Sequence, residues 1–135
     1  MVVEEVKIRS KEKKYRGMSL EEMKILSVKD SAVYLPSRSR RSVLRHPEII
    51  EKFVKSCENK ISKKKRIRTH LRDIVIVPRL IGMTIGVHDG RAFQDVQIGT
   101  EMMGHRLGEF ALTRKRVAHS GAGIGATKGS RMAKK

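Results

Sequence analysis

Acidic residues, aromatics and cysteine are all scarce in this chain of 135 residues. A single cysteine, Cys57, excludes an internal disulfide and a cysteine-rich zinc site. There is no tryptophan, and aromatics make up 4% of the residues. A surface-seeking membrane helix wants Trp, Phe and Leu along one face and a basic opposite face. Here the basic residues fall largely outside the best amphipathic stretch, so a membrane partner is not expected. The apolar run Ile74–Val77 is far too short to span a bilayer. The N-terminus carries Glu4 and Glu5 and no hydrophobic stretch, which argues against a secretory signal. A reducing, cytoplasmic location is the expectation.

What is abundant is positive charge. Lys and Arg number 31 against 14 Asp and Glu, a formal net charge of +17. The isoelectric point is near 10.6. A compact domain with that imbalance repels itself, and a polyanion relieves the repulsion. An isoelectric point above about 9 marks a nucleic-acid binder. With 39% hydrophobic residues, the core must be small, and a partner that selects the folded state would stabilise it by mass action.

Local patterns give an α+β chain. Ser19 and Glu22 make a capping box, with Met18 and Met23 placed as a hydrophobic staple, so a short helix to about Val28 is expected. Leu35-Pro36 ends it, and a basic Ser/Arg stretch from Ser37 leads into Val43-Leu44-Arg45. The strongest helix begins at Pro47. Ile50, Phe53, Val54, Cys57 and Ile61 recur on one face, and Phe53 and Val54 are expected buried. Asn59 closes this helix before the charge run Lys60–Lys65. Ile74–Val77 reads as a buried strand stopped by Pro78. Asp89-Gly90 is a two-residue hairpin signal of type I′, a register that sets Phe93 across from Gly86. Thr100 caps a short turn, and residues 104–110 read as a compact loop. The expected architecture is two or three short helices on one side of a small, mainly antiparallel sheet. An N-terminal extension (1–17), an RNA-binding body (18–110) and a basic tail (111–135) follow in order.

Catalytic readings fare poorly. His70, His88, His105 and His119 have Asp73, Asp89 and Glu109 near them in sequence, but a nuclease or metal site needs such groups to converge. No helical H-E-x-x-H occurs, and Gly104 and Gly108 argue against a helix around His105 and Glu109. Gly121-x-Gly123-x-Gly125 lacks the strand and helix that a phosphate-cradling loop requires. Neither an enzyme nor a resident cofactor or metal is expected.

Three basic clusters remain. Arg38, Arg40, Arg41 and Arg45 form the first; Lys63, Lys64, Lys65, Arg66, Arg68 and Arg72 the second. The third is the tail, which has no Asp or Glu from Ala111 to Lys135 and should be disordered until a polyanion holds it. Arginine's planar fork grips phosphate bidentately. DNA readers usually present a recognition helix, but the strongest helix here carries Glu48, Glu51 and Glu58. No aromatic platform for single strands is evident. Phosphate and shape recognition of folded RNA is left, with a chromatin-type DNA-packaging protein as the alternative.

Particular motifs sharpen this. Arg68-Thr69-His70-Leu71-Arg72-Asp73, Pro78-x-x-Ile81-Gly82, Val87-His88-Asp89-Gly90-Arg91 and Gly104-His105-Arg106-Leu107-Gly108-Glu109-Phe110-x-x-Thr113-Arg114 resemble the ribosomal protein S-nineteen family. The resemblance covers about residues 15 to 132. Tyr15-Arg16-Gly17, Ser37-Arg38-x-Arg40-Arg41 and Gly123-Ile124-Gly125-Ala126-Thr127-x-x-Ser130-Arg131 are similar to its archaeal and eukaryotic branch, and the short N-terminus leans archaeal. Bacterial members carry Arg-Arg-Ser-Thr where this chain has Leu71-Arg72-Asp73-Ile74, and proline where it has Leu112. The resemblance implies a place in the head of the small ribosomal subunit, on the 3′ domain of its RNA, beside ribosomal protein S-thirteen and not as a homo-oligomer. Taken with the basic clusters, it implies RNA contacts at Arg38, Arg40, Arg41, Arg45, Lys63, Lys64, Lys65, Arg68, Thr69, His70, Arg72, His88, Arg91, His105 and Arg106. It also implies that the tail, through Arg114, Lys115, Arg116, Lys128 and Arg131, lies near tRNA.

Overall fold

A computed structural model describes residues 14–114 together with 116, 123, 128 and 129. The chain opens with a small antiparallel hairpin, β1 (Lys14–Tyr15) and β2 (Met18–Ser19). Its two turn residues, Arg16 at φ 49° and Gly17 at φ 89°, are both left-handed, as a type I′ turn demands. Ser19 then starts α1 (Leu20–Ile25): its hydroxyl accepts from the Glu22 amide, and the Glu22 carboxylate accepts from the Ser19 amide. The expected capping box is therefore present, and Met23 is buried. The helix stops sooner than expected. Ser27 caps a separate short helix, α2 (Val28–Ser31), which runs into a 3₁₀ turn (Ala32–Tyr34).

The basic Ser/Arg stretch is helical. Pro36 precedes α3 (Ser37–Arg45), and α4 (Pro47–Ser62) follows after His46. The described residues thus hold four α-helices rather than two or three. Along α4, Ile50, Val54 and Cys57 are buried at helical spacing. Phe53 is only half-buried and Ile61 is exposed, because Phe53 lies at the flank of the stripe and Ile61 in the last turn. Burial pushes the Cys57 thiol up to about 11, so it is a packing group and not a nucleophile.

A three-stranded sheet follows, in the order β3 (Ile67–Thr69), β4 (Thr84–His88), β5 (Phe93–Gln97). β3 runs parallel to β4, a strand hidden in sequence by the charges around it, and β4–β5 is antiparallel. The hairpin register differs from expectation. His88 pairs with Phe93, and Gly86 pairs with Asp95. The connection is longer than two residues because Asp89 Oδ1 accepts from the amides of both Arg91 and Ala92, while its own amide donates to Ala92 O. The buried carboxylate builds an Asx-type loop where a type I′ turn was expected.

Ile74–Val77 is buried as expected, but it is not a strand of this sheet. It pairs antiparallel with the 104–108 loop through a single bridge, Val75 with Arg106. Gly104 N donates to Ile76 O, Ile76 N to His105 O, and Leu107 N to Ile74 O. The ladder cannot extend, because Gly104 (φ 84°) and the 3₁₀ turn Leu107–Glu109 bend the partner away.

Gly104 also shows why this loop needs glycine. A Cβ there would sit 2.7 Å from Pro36 Cδ. Ser39 Oγ meanwhile donates to Gly104 O, locking α3 onto the loop. Gly104→Ala is expected to destabilise the chain by about 1–3 kcal/mol from backbone strain alone, with the Pro36 clash adding to it. A urea melt shifted by less than ~0.5 kcal/mol, the range of an ordinary surface change, would contradict this docking.

Candidate nucleic-acid interface

Helical spacing decides which arginines of α3 meet solvent. Arg38, Arg41 and Arg45 stand at i, i+3 and i+7 and are exposed, on a helix that contains no Asp or Glu. Arg40 points the other way. Its Nε donates to Ala32 O at 3.2 Å, and its Nη2 donates to Val33 O at 2.6 Å and Leu35 O at 3.3 Å. Arg40 therefore holds the preceding turn.

Two more of the expected contact residues are engaged within the fold. The Arg72 guanidinium donates through Nη1 to His88 O, and through Nη2 to Gly108 O at 2.8 Å and Ala111 O at 2.6 Å. One side chain thereby ties the sheet to the 104–111 loop. Thr69 is buried, and its hydroxyl accepts from the Leu71 amide at 3.0 Å.

The remaining basic groups lie outward. Lys63, Lys64 and Lys65 are exposed where α4 ends. The end is a left-handed turn at Lys64 (φ 54°), with Lys65 N donating to Lys60 O. Arg68 projects from β3, and Arg91 is exposed in the β4–β5 loop. His70 is exposed and His88 half-buried. Arg114, Arg116 and Lys128 are exposed; Lys115, Arg131 and most of the tail expected to be disordered lie outside the described residues.

A cleft of about 610 Å³ gathers groups from three distant parts of the sequence. Arg45 and His46 line it from the α3–α4 junction, His70 and Leu71 from the end of β3, and Arg106 from the 104–110 loop. Sequence reading missed His46, which no pattern distinguished from a helix-junction residue, and Leu71, which is exposed here despite being apolar. Arg106 Nη1 lies 3.2 Å from Asp73 Oδ1, an exposed pair of small energetic weight.

Beside the cleft, His105 and Glu109 form a fixed unit. His105 Nδ1 is 2.6 Å from Glu109 Oε2, and Glu109 Oε1 accepts from the Arg106 amide at 3.1 Å. With Nδ1 engaged, Nε2 is the ring nitrogen left for a ligand. The Arg106 amide, then the His105 ring, hold the Glu109 carboxyl below its ordinary range. A lowered folded value means the interaction is complete above the ordinary carboxylate range and is lost as pH falls through the folded value. The Arg106 amide resonance should therefore titrate with a midpoint below that of a free glutamate, and Glu109→Gln should abolish the titration. A midpoint at or above the free value would contradict the contact.

Among the described residues, no cluster of three or more His, Cys, Asp and Glu side chains is placed to hold a metal ion. Nor is any helix among them long and apolar enough to cross a membrane.

A family model described as Ribosomal protein S19 matches residues 38–119. The small ribosomal subunit protein uS19 of Methanocella arvoryzae is 44% identical over 123 residues, covering 91% of this chain and 86% of that protein. The uS19 proteins of Picrophilus torridus and Thermoplasma acidophilum are 43% and 42% identical over 123 residues, covering 91% of this chain and 80% of each of theirs. The matched span takes in α3, α4, the three-stranded sheet and the 104–110 loop, all the elements that form the cleft, and the chain belongs to the ribosomal protein S19 family.

Proposed function

We propose that this chain is a structural constituent of the small ribosomal subunit, seated in the head on the 3′ domain of the subunit's RNA. The observation that carries this is the acid-free stripe Arg38, Arg41 and Arg45 on α3, running toward the cleft lined by Arg45, His46, His70 and Arg106. Rigidly mounted cations along a concave surface suit the phosphates of a folded RNA. The three uS19 relatives bear the name of a small-subunit protein, which agrees with that reading. A ribosomal protein of this family is a structural component and not an enzyme.

In this arrangement residues 18–110 hold the RNA. Lys63, Lys64, Lys65, Arg68, Arg91 and His105, all exposed, supply further phosphate contacts, and ribosomal protein S-thirteen lies beside the chain. The tail from residue 111 on reaches toward tRNA through Arg114, Lys115, Arg116, Lys128 and Arg131. The body and tail then separate genetically. Truncation before Arg114 should leave incorporation into small subunits intact while weakening their tRNA binding. Lost occupancy would make the tail an RNA anchor, and unchanged tRNA affinity would remove its tRNA role.

The function as a whole is tested by sedimentation. A tagged full-length chain should travel with small subunits in a magnesium-containing gradient and leave that fraction when the RNA is digested. Travel with DNA instead would favour a packaging role.

A further inference from the structure

Three rings meet on the outer face of the sheet, away from the residues that fill the core. His88 pairs with Phe93 across β4 and β5, and the chain leaving β3 sets His70 beside them. Ring centroids are 4.4 Å apart for His70 and His88, 5.1 Å for His70 and Phe93, and 4.9 Å for His88 and Phe93. The Arg68 guanidinium lies 5.4 Å from the Phe93 centroid. Gly86 permits this layout. It occupies the middle strand between Arg68 and Asp95, and a Cβ there would meet Asp95 Oδ1 at 3.1 Å and Arg68 Cγ at 3.4 Å.

The cluster is held in place. His88 Nδ1 accepts from the Gly90 amide at 3.1 Å, and His88 O accepts from Arg72. Yet it is not sequestered: His70 is exposed, and His88 and Phe93 are half-buried. A chain with only three phenylalanines has placed one of them on the solvent side of its sheet. Fixed rings with open edge and face, and a guanidinium alongside, match a flat base attached to a phosphate. Bases inside a duplex have both faces covered by neighbours, so a base displaced from its stack is the ligand such a surface takes.

We infer that His70, His88 and Phe93, with Arg68 beside them, form a stacking site for one unpaired nucleobase of the bound RNA. This rests on the RNA-binding reading above and adds to it a mode of recognition and a residue, Phe93, that the basic clusters do not include. The base stacks on His70 and extends the ring cluster outward, while Arg68 takes an adjoining phosphate. Because every base has a π-face, the site selects an unstacked nucleotide and tolerates its identity.

The test uses the full chain and two RNA hairpins of equal length and charge. In one, a single 2-aminopurine is bulged; in the other it is paired. The wild type should bind the bulged hairpin about 5- to 150-fold more tightly, the range expected for one stacked base, and should quench its fluorescence. Phe93→Leu should remove most of that preference and the quenching, with affinity for the paired hairpin unchanged, and His70→Ala should weaken binding of the bulged hairpin more than that of the paired one. His70→Phe should retain both. Equal loss on both hairpins, or no loss on either, would overturn the stacking site while leaving RNA binding intact. A wild type that binds neither hairpin would overturn the RNA-binding reading and this site with it.

Discussion

Simultaneous exchange of Arg38, Arg41 and Arg45 for glutamine is expected to lower affinity for small-subunit RNA roughly 100-fold near physiological salt. Each cation seated on a phosphate contributes about −0.7 to −0.9 to the slope of log affinity against log salt, so the variant's slope should be shallower by about 2 to 3. Stability should hardly change, since all three side chains are exposed on a helix with no acid to pair with them. Arg40→Gln is the internal control. It loses donors to three backbone carbonyls, so its melting temperature should fall while the salt slope stays at the wild-type value. An unchanged slope for the triple variant would show that the α3 stripe is merely a solvated face.

Arg72→Met is the second large effect, and it falls on stability. The aliphatic stem can be replaced, but His88 O, Gly108 O and Ala111 O all lose their guanidinium donor. Hydrogen bonds to charged groups are worth about 1.5–3 kcal/mol each, and a buried acceptor left unsatisfied costs about 1–3 kcal/mol. Partial exposure lets water recover part of this, which puts the expected loss at about 3 kcal/mol in urea unfolding. Arg72→Lys should restore little, because a single ammonium cannot span three carbonyls set by a planar fork. A change within ~0.5 kcal/mol would mean that the 104–111 loop is held by other contacts. The neighbouring Gly108 fits this account, since a Cβ there would come within 3.0 Å of Arg72 Cβ.

The contrast between Arg40 and Arg72 on one hand, and Arg38, Arg41 and Arg45 on the other, shows where sequence reading reaches its limit. Composition and charge pattern identify the arginine clusters, but the direction of each side chain depends on helix phase and on where carbonyls go unpaired. The Ser/Arg stretch lacks an apolar periodicity strong enough to announce a helix, with Val43 its one buried residue. Its helicity comes from docking, through Pro36 and Ser39 against Gly104. Tertiary contact of this kind overrides weak local preference.

Turns misled in opposite directions. Asp89-Gly90 carries the strongest two-residue hairpin signal in the chain but makes a longer loop, because the Asp89 carboxylate finds two amides to accept from. Arg16-Gly17, at which no turn was expected, makes the two-residue turn with both residues left-handed. The register shift that results is what brings Phe93 opposite His88 and assembles the ring cluster. Long-range pairing was also invisible. β3 is a strand because β4 lies parallel beside it, and Ile74–Val77 is extended because the 104–108 loop accepts it. By contrast, the Ser19 box and the Ile50, Val54 and Cys57 stripe are local, and both were legible. The motif from Gly104 to Phe110 was legible as a family signature. Its physics became clear only with Pro36 and Arg72 packed against its glycines.

The central claim is that this chain is held on small-subunit RNA through α3, the cleft and the outer face of the sheet. Ultraviolet crosslinking in living cells, followed by sequencing of the attached RNA and mass spectrometry of the modified peptides, tests it directly. The account predicts crosslinks to small-subunit ribosomal RNA, carried by peptides from Arg38–Arg45, His70 and Phe93. Crosslinks to DNA, or to ribosomal RNA through α4 alone, would contradict it.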